Sequence, residues 1–117
     1  MNKISEEKII NQTDNAVILE FSVPGSSDYF NGHFPGFPVL PAVAQIHIIM
    51  HFVSRFLGAG KNTGLSEIKK AKFTNIIRPD TTHVLYLEKN EKNISFKIIS
   101  TDEKTVYSAG NLTLPEA

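Results

Sequence analysis

Five of the ten residues from Gly32 to Pro41 are glycine or proline, and they surround one histidine, His33. Glycine opens backbone angles that other residues avoid, while proline fixes φ and withholds an N–H. The stretch GHFPGFPVLP is therefore a shaped loop and can continue neither as strand nor as helix. Immediately after it the pattern becomes an apolar run, Ala42 to Leu57, with Pro41 where a starting helix tolerates proline. Whatever else the chain does, it must deliver a rigid, histidine-bearing loop into the N-terminus of one helix.

That helix carries Val43, Ile46, Ile48, Ile49, Met50, Phe52, Val53, Phe56 and Leu57. Apolar residues on most sides predict a core helix enclosed by other elements. Gly58-Ala59-Gly60 ends it. Before the loop, residues 4–23 read as a strand pair closed by the polar turn Gln12-Thr13-Asp14-Asn15. Val17, Leu19, Phe21 and Val23 alternate there with Ile18, Glu20 and Ser22. After the helix, four β-rich stretches follow: 67–77, 82–89, 94–100 and 105–114. Polar turns at Asn90-Glu91-Lys92-Asn93 and Thr101-Asp102-Glu103-Lys104 make the last three antiparallel neighbours.

With 117 residues there is room for one domain, taken as 1–117, and one core. A formal net charge of zero gives no general attraction to nucleic acid or anionic membrane, and no basic–aromatic nucleic-acid pattern or phosphate loop is present. Cysteine is absent, which excludes disulfides and thiolate chemistry. The opening MNKISEEKII lacks the apolar core of a signal peptide, and no apolar run reaches bilayer length. These features together point to a cytoplasmic protein without membrane insertion.

The segment GHFPGFPVLPAVAQ resembles the signature of the β-hydroxyacyl-[acyl carrier protein] dehydratases, which runs G-H-F-P-G-x-P-V-x-P-G-V. The likeness is dense from Gly32 through Val43, with Ala42 replacing the usual glycine. IKKAKF (Ile68 to Phe73) and the following Arg78-Pro79-Asp80 resemble the family's strand after the helix. The VAQIH version is similar to short dehydratase-like relatives associated with aryl polyene synthesis. The resemblance implies an α+β hot dog fold, a long central helix wrapped by a curled antiparallel sheet. It also implies a homodimer with the site between subunits, and dehydration of a 3-hydroxyacyl thioester on acyl carrier protein without a cofactor.

Carried onto this chain, the resemblance makes His33 the general base. A histidine suits proton abstraction beside a thioester because it titrates near neutrality. It places thioester and oxyanion binding at Gly36 and at the Ala42 N–H, one of the donors a helix N-terminus leaves free. Phe34, Phe37, Pro41 and Val43 become substrate-contacting positions. Tyr29, Phe30, Phe34 and Phe37 either line an acyl pocket or fill core.

One position departs from the family. Its catalytic acid lies fourteen residues after the loop histidine, and here that residue is His47. The helix contains no carboxylate; its ionisable residues are His47, His51 and Arg55. His47 is either an imidazolium acid paired with His33 across subunits or the remnant of a lost activity. Gln45, two residues earlier and roughly 200° around the helix, does not share its contacts. His47 and His51 have helical metal-ligand spacing, but the HExxH glutamate and a third ligand are missing, so no metal is expected. His51 is a packing or hydrogen-bonding residue, and His83 lies in a strand with no constellation around it. Lys69, Lys70, Lys72 and Arg78 either meet an acidic carrier protein or form a solvated strand face. Two other functions stay open: a non-catalytic acyl-binding module, which accounts for the missing acid, and an acyl thioesterase.

Overall fold

A computed structural model describes residues 5–24, 40–57 and 67–113. In chain order the elements are β1 (Ser5–Gln12), β2 (Ala16–Ser22), α1 (Ala42–Phe56), β3 (Glu67–Phe73), β4 (His83–Asn90), β5 (Asn93–Ser100) and β6 (Val106–Thr113). The strands form one antiparallel sheet ordered β1-β2-β4-β5-β6-β3. One helix on a long antiparallel sheet is the architecture that the hot dog resemblance implies.

Alternation along the strands sorts the side chains into two faces. Register places Val17, Leu87, Phe96, Gly110 and Ala71 in one row across five strands, and Leu19, Leu85, Ile98 and Ser108 in the next. Apart from Ala71 and Gly110, which are half-buried, these residues are buried. They meet Ala44, Ile48, Ile49, Phe52 and Val53 of α1 in one hydrophobic core. Phe21 of β2 and Phe52 of α1 mark the contact, with ring centroids 5.9 Å apart.

The hairpins follow their turn residues. Thr13 N–H donates to the Ala16 carbonyl (2.8 Å) where β1 turns into β2. In the β4–β5 turn, Asn90 pairs directly with Asn93, and Glu91 adopts φ 57° to close the two-residue loop. Between β5 and β6, Asp102 accepts from the Ser100 hydroxyl (2.6 Å) and the Lys104 N–H (3.0 Å), which pulls its carboxyl below the usual range.

Two expectations change. The helix is not enclosed all round: Ala42, Val43, His47, His51, Ser54 and Arg55 form an exposed face, and the sheet covers only the opposite side. The apolar residues that suggested full burial, including Ile46 and Met50, lie on the flanks of the buried stripe. The strand expected over 67–77 ends at Phe73. Thr74 and Asn75 both donate N–H to the Tyr107 carbonyl (3.0 and 3.4 Å), and the chain then leaves the sheet. Its next backbone groups serve other elements: the Ile77 carbonyl accepts from Leu40 N–H (2.9 Å), and Asp80 N–H donates to the Val23 carbonyl (2.8 Å).

Candidate active site at the start of the helix

Those last two hydrogen bonds define the site's foundation. Val23 and Leu40 flank residues 24–39, and the single segment 77–80 holds both. The stretch that carries His33, Phe34, Gly36 and Phe37 thus begins and ends on one anchor. These four residues, like Tyr29, Phe30 and the Gly58-Ala59-Gly60 stop, lie outside the described residues.

Pro41 is the N-cap, at φ −71° and ψ 160°. It offers no side-chain cap, and the first turn of α1 has no acidic residue. The first intrahelical bond runs from Gln45 N–H to the Pro41 carbonyl (3.0 Å). The amides of Ala42, Val43 and Ala44 therefore have no partner inside the helix, and the helix dipole adds partial positive charge there. Ala42 and Val43 are exposed, Val43 at 76 %. An anionic oxygen arriving at this end meets donors already in place.

His47 lies on the same face, one turn beyond Val43, with about 6 Å of axial rise between them. It is exposed, and His51 follows one turn later. The His51 ring stands edge-on to Phe52 at 5.0 Å, and the residue itself is at the surface. Gln45 points the other way, 3 % exposed, and its amide donates to the Leu40 carbonyl at 3.2 Å. The expectation that Gln45 and His47 share no contact agrees with this placement. Among the described residues no three His, Cys, Asp or Glu side chains gather as a metal centre requires.

The structure therefore brings Pro41, Ala42, Val43 and His47 onto one end and one face of α1. His83 is elsewhere. It is 1 % exposed, between Phe21 (5.9 Å) and Tyr107 (4.6 Å, edge-on), and among the described residues no group makes a well-formed hydrogen bond to either ring nitrogen. Burial lowers its pKa from 6.5 to about 4, opposed by the nearby Arg78 backbone. Strand alternation alone could have flagged it as inward-facing, since Leu85 and Leu87 follow it at two-residue spacing. Lys69, Lys70, Lys72 and Arg78 are exposed on β3 and just beyond it. A pocket of about 350 Å³ lies on the outer sheet face, bounded by Ile18, Tyr86, Glu88 and Lys97, and includes no helix residue.

Comparison with known proteins bears on this geometry. The ApeI-like family model, described as ApeI dehydratase, matches residues 9–111. The 3-hydroxyacyl-[acyl-carrier-protein] dehydratase FabZ of Oenococcus oeni is 32 % identical over 109 residues, covering 84 % of this chain and 77 % of that protein. The FabZ dehydratase of Pediococcus pentosaceus is 31 % identical over 91 residues, or 74 % of this chain. This chain spans 61 % of the Pediococcus protein and 53 % of the FabZ dehydratase of Lactiplantibacillus plantarum. Among solved structures, a chain of the dehydratase heterocomplex ApeI:P from Xenorhabdus doucetiae aligns with TM-score 0.78 and 26 % identity, covering 96 % of this chain and all of that one. A thioesterase-like protein from Streptococcus pneumoniae, solved with coenzyme A, aligns with TM-score 0.61 at 12 % identity, covering 94 % of this chain and 86 % of that one. That second likeness speaks for the hot dog fold alone.

Proposed function

Because this chain belongs to the ApeI-like dehydratase family, we propose that it dehydrates a 3-hydroxyacyl thioester on acyl carrier protein to the trans-2-enoyl thioester. The observation that carries the proposal is the shared face of α1. An uncapped helix start at Ala42 and an exposed histidine at His47 share that face, and they support roles as oxyanion donor and acid.

In the proposed reaction His33 takes the C2 proton, and the electron pair moves toward the thioester. The Ala42 N–H holds the charge that develops on the thioester oxygen. The C3–O bond then breaks, and protonated His47 gives its proton to the departing hydroxyl, which leaves as water. His33 ends protonated and His47 neutral, so one proton must return between them or through solvent before the next turnover. Gly36 assists at the thioester, and Phe34, Phe37, Pro41 and Val43 contact the acyl chain.

A second copy of the chain supplies the facing loop in this proposal, so that His33 of one subunit meets His47 of the other. Two features support association. β3 is the terminal strand of the sheet, and Ile68, Phe73 and Ile76 along it and just beyond are exposed apolar residues. A different dehydratase-like chain in place of the second copy is the other reading, because the Xenorhabdus neighbour comes from a heterocomplex.

The test is turnover of a 3-hydroxyacyl-carrier substrate followed by mass. Wild type should lose one water from the substrate, and His33→Ala and His47→Ala should each slow this on the order of 10²–10⁴-fold, the usual worth of a general acid or base. Bound but unchanged substrate would make the chain an acyl-binding module. A hydrolysed thioester would make it a thioesterase. Dehydration that appears only in His47→Glu would mark His47 as the remnant of a lost acid. Light scattering on the purified chain separates the assemblies: a dimer supports the second copy, a monomer the different chain.

A further inference from the structure

Gln45 is an expensive residue for its place. It is 3 % exposed within the core-facing side of α1, and among the described residues its Oε1 has no hydrogen-bond partner. A buried acceptor left unpaired costs stability, and an apolar side chain of similar length would avoid that cost. What glutamine adds is its amide donor. Nε2 donates to the Leu40 carbonyl at 3.2 Å, in a buried contact.

The consequence lies in the backbone. The Leu40 carbonyl belongs to the peptide unit that joins Leu40 to Pro41. The Pro41 carbonyl shares a plane with the Ala42 N–H, and in a trans peptide the two point in opposite directions. Gln45 holds both units, the first through its side chain and the second through its own N–H on the Pro41 carbonyl (3.0 Å). Leu40 N–H is meanwhile fixed to the Ile77 carbonyl (2.9 Å). Pro41 has no N–H with which to anchor itself. Any residue but proline at position 45 would supply the backbone bond; only a side-chain donor of this reach supplies the other.

We propose that Gln45 is a positioning residue for the oxyanion donor: its side-chain amide locks the Leu40–Pro41 peptide to α1 and so aims the Ala42 N–H at the thioester oxygen. The inference rests on the dehydratase reading above for the role of that N–H. Gln45 itself touches no substrate.

Two variants and two readouts test it. Gln45→Met keeps length and removes the donor. Its kcat should fall roughly 10- to 100-fold with KM unchanged, below the 10²–10³-fold of losing an oxyanion donor outright, because the N–H is misaimed and still present. Its melting temperature should stay within a few degrees of wild type. Gln45→Glu is the conservative rescue. A carboxyl buried in apolar surroundings holds its proton to higher pH, and the protonated acid can donate to the Leu40 carbonyl as the amide does. Its activity relative to wild type should rise as pH falls, whereas Gln45→Met stays low throughout.

The second readout needs no turnover. The Ala42 amide resonance should move in Gln45→Met, while those of Val53 and Ser54, further along α1, stay in place. Wild-type kcat in Gln45→Met, or an unmoved Ala42 amide, overturns the inference. Absence of dehydration in wild type would instead sink the dehydratase reading, and the amide shift would still decide the clamp.

Discussion

His83 makes acid stability a quantitative test of the core. Its ring is 1 % exposed and lies against Phe21 and Tyr107; among the described residues neither nitrogen has a well-formed hydrogen bond, and the nearby Arg78 backbone only partly opposes the desolvation. Desolvation disfavours the charged imidazolium, so its pKa falls from 6.5 to about 4 in the folded chain. Between those values the unfolded chain binds a proton that the folded chain refuses, and stability therefore falls as pH falls. The contribution is complete above pH 6.5, declines through the window, and is constant again below about pH 4. A gap of about 2.5 pH units corresponds to about 3 kcal/mol in all, of which about 2 kcal/mol is lost between pH 7 and 5. Urea unfolding at pH 7, 5.5 and 4.5, for wild type and His83→Phe, measures it. His83→Phe keeps an aromatic ring in the cluster and removes the titration, so its stability should depend less on pH by that amount. His83→Leu serves if phenylalanine overpacks the site, and the His83 ring proton shifts give an independent titration. Parallel pH slopes in wild type and both variants, or a His83 ring titrating near 6.5, would refute the argument.

Three other perturbations test the architecture. Gly110→Ala would drive a methyl into the Lys70 carbonyl and to 2.7 Å from the Ala71 Cα, where the bulge between Ile68 and Lys70 presses β3 onto β6. It should destabilise by about 2–4 kcal/mol and free the β3 amides to exchange; unchanged β3 protection would contradict the register. Phe52→Ala empties the contact with Phe21 and Phe56 and should cost about 3–5 kcal/mol in urea unfolding. Glu91→Gly relieves a side chain held at φ 57°, which offsets glycine's greater loss of freedom on folding. A gain of about 0.5 kcal/mol in chemical denaturation is expected, and a loss would show that the Glu91 side chain holds the turn.

Residues such as Val17, Leu19 and Phe21 declared their strand because alternation is a local property: each inward residue is two positions from the next. The same locality made the turns at 12–15 and 90–93 and the span of α1 readable. The motif around His33 pointed to the chemistry in the same way, since its glycine and proline spacing is a one-dimensional pattern. Composition could not say which side of α1 the sheet would cover. Ile46 and Met50 made the helix look apolar all round, and only the sheet's placement showed that Val43, His47 and His51 share an uncovered face.

Contacts between distant stretches were beyond the pattern for a related reason. Nothing near Ile77 announces that its carbonyl will hold Leu40, or that Asp80 will reach Val23, yet these bonds draw residues 77–80 away from the line of β3. Gln45 is a polar residue in an apolar run until Leu40 is folded back beside it. His83 becomes a buried ring only when Tyr107 closes over it from a strand that begins sixteen residues after β4 ends. By itself the sequence determined most of the elements and their alternation and singled out the candidate groups His33 and His47, because those follow from neighbours along the chain. The tertiary structure alone decided which helix face stays open, which backbone groups anchor the loop and which histidine loses its water, because each depends on residues that only packing brings together.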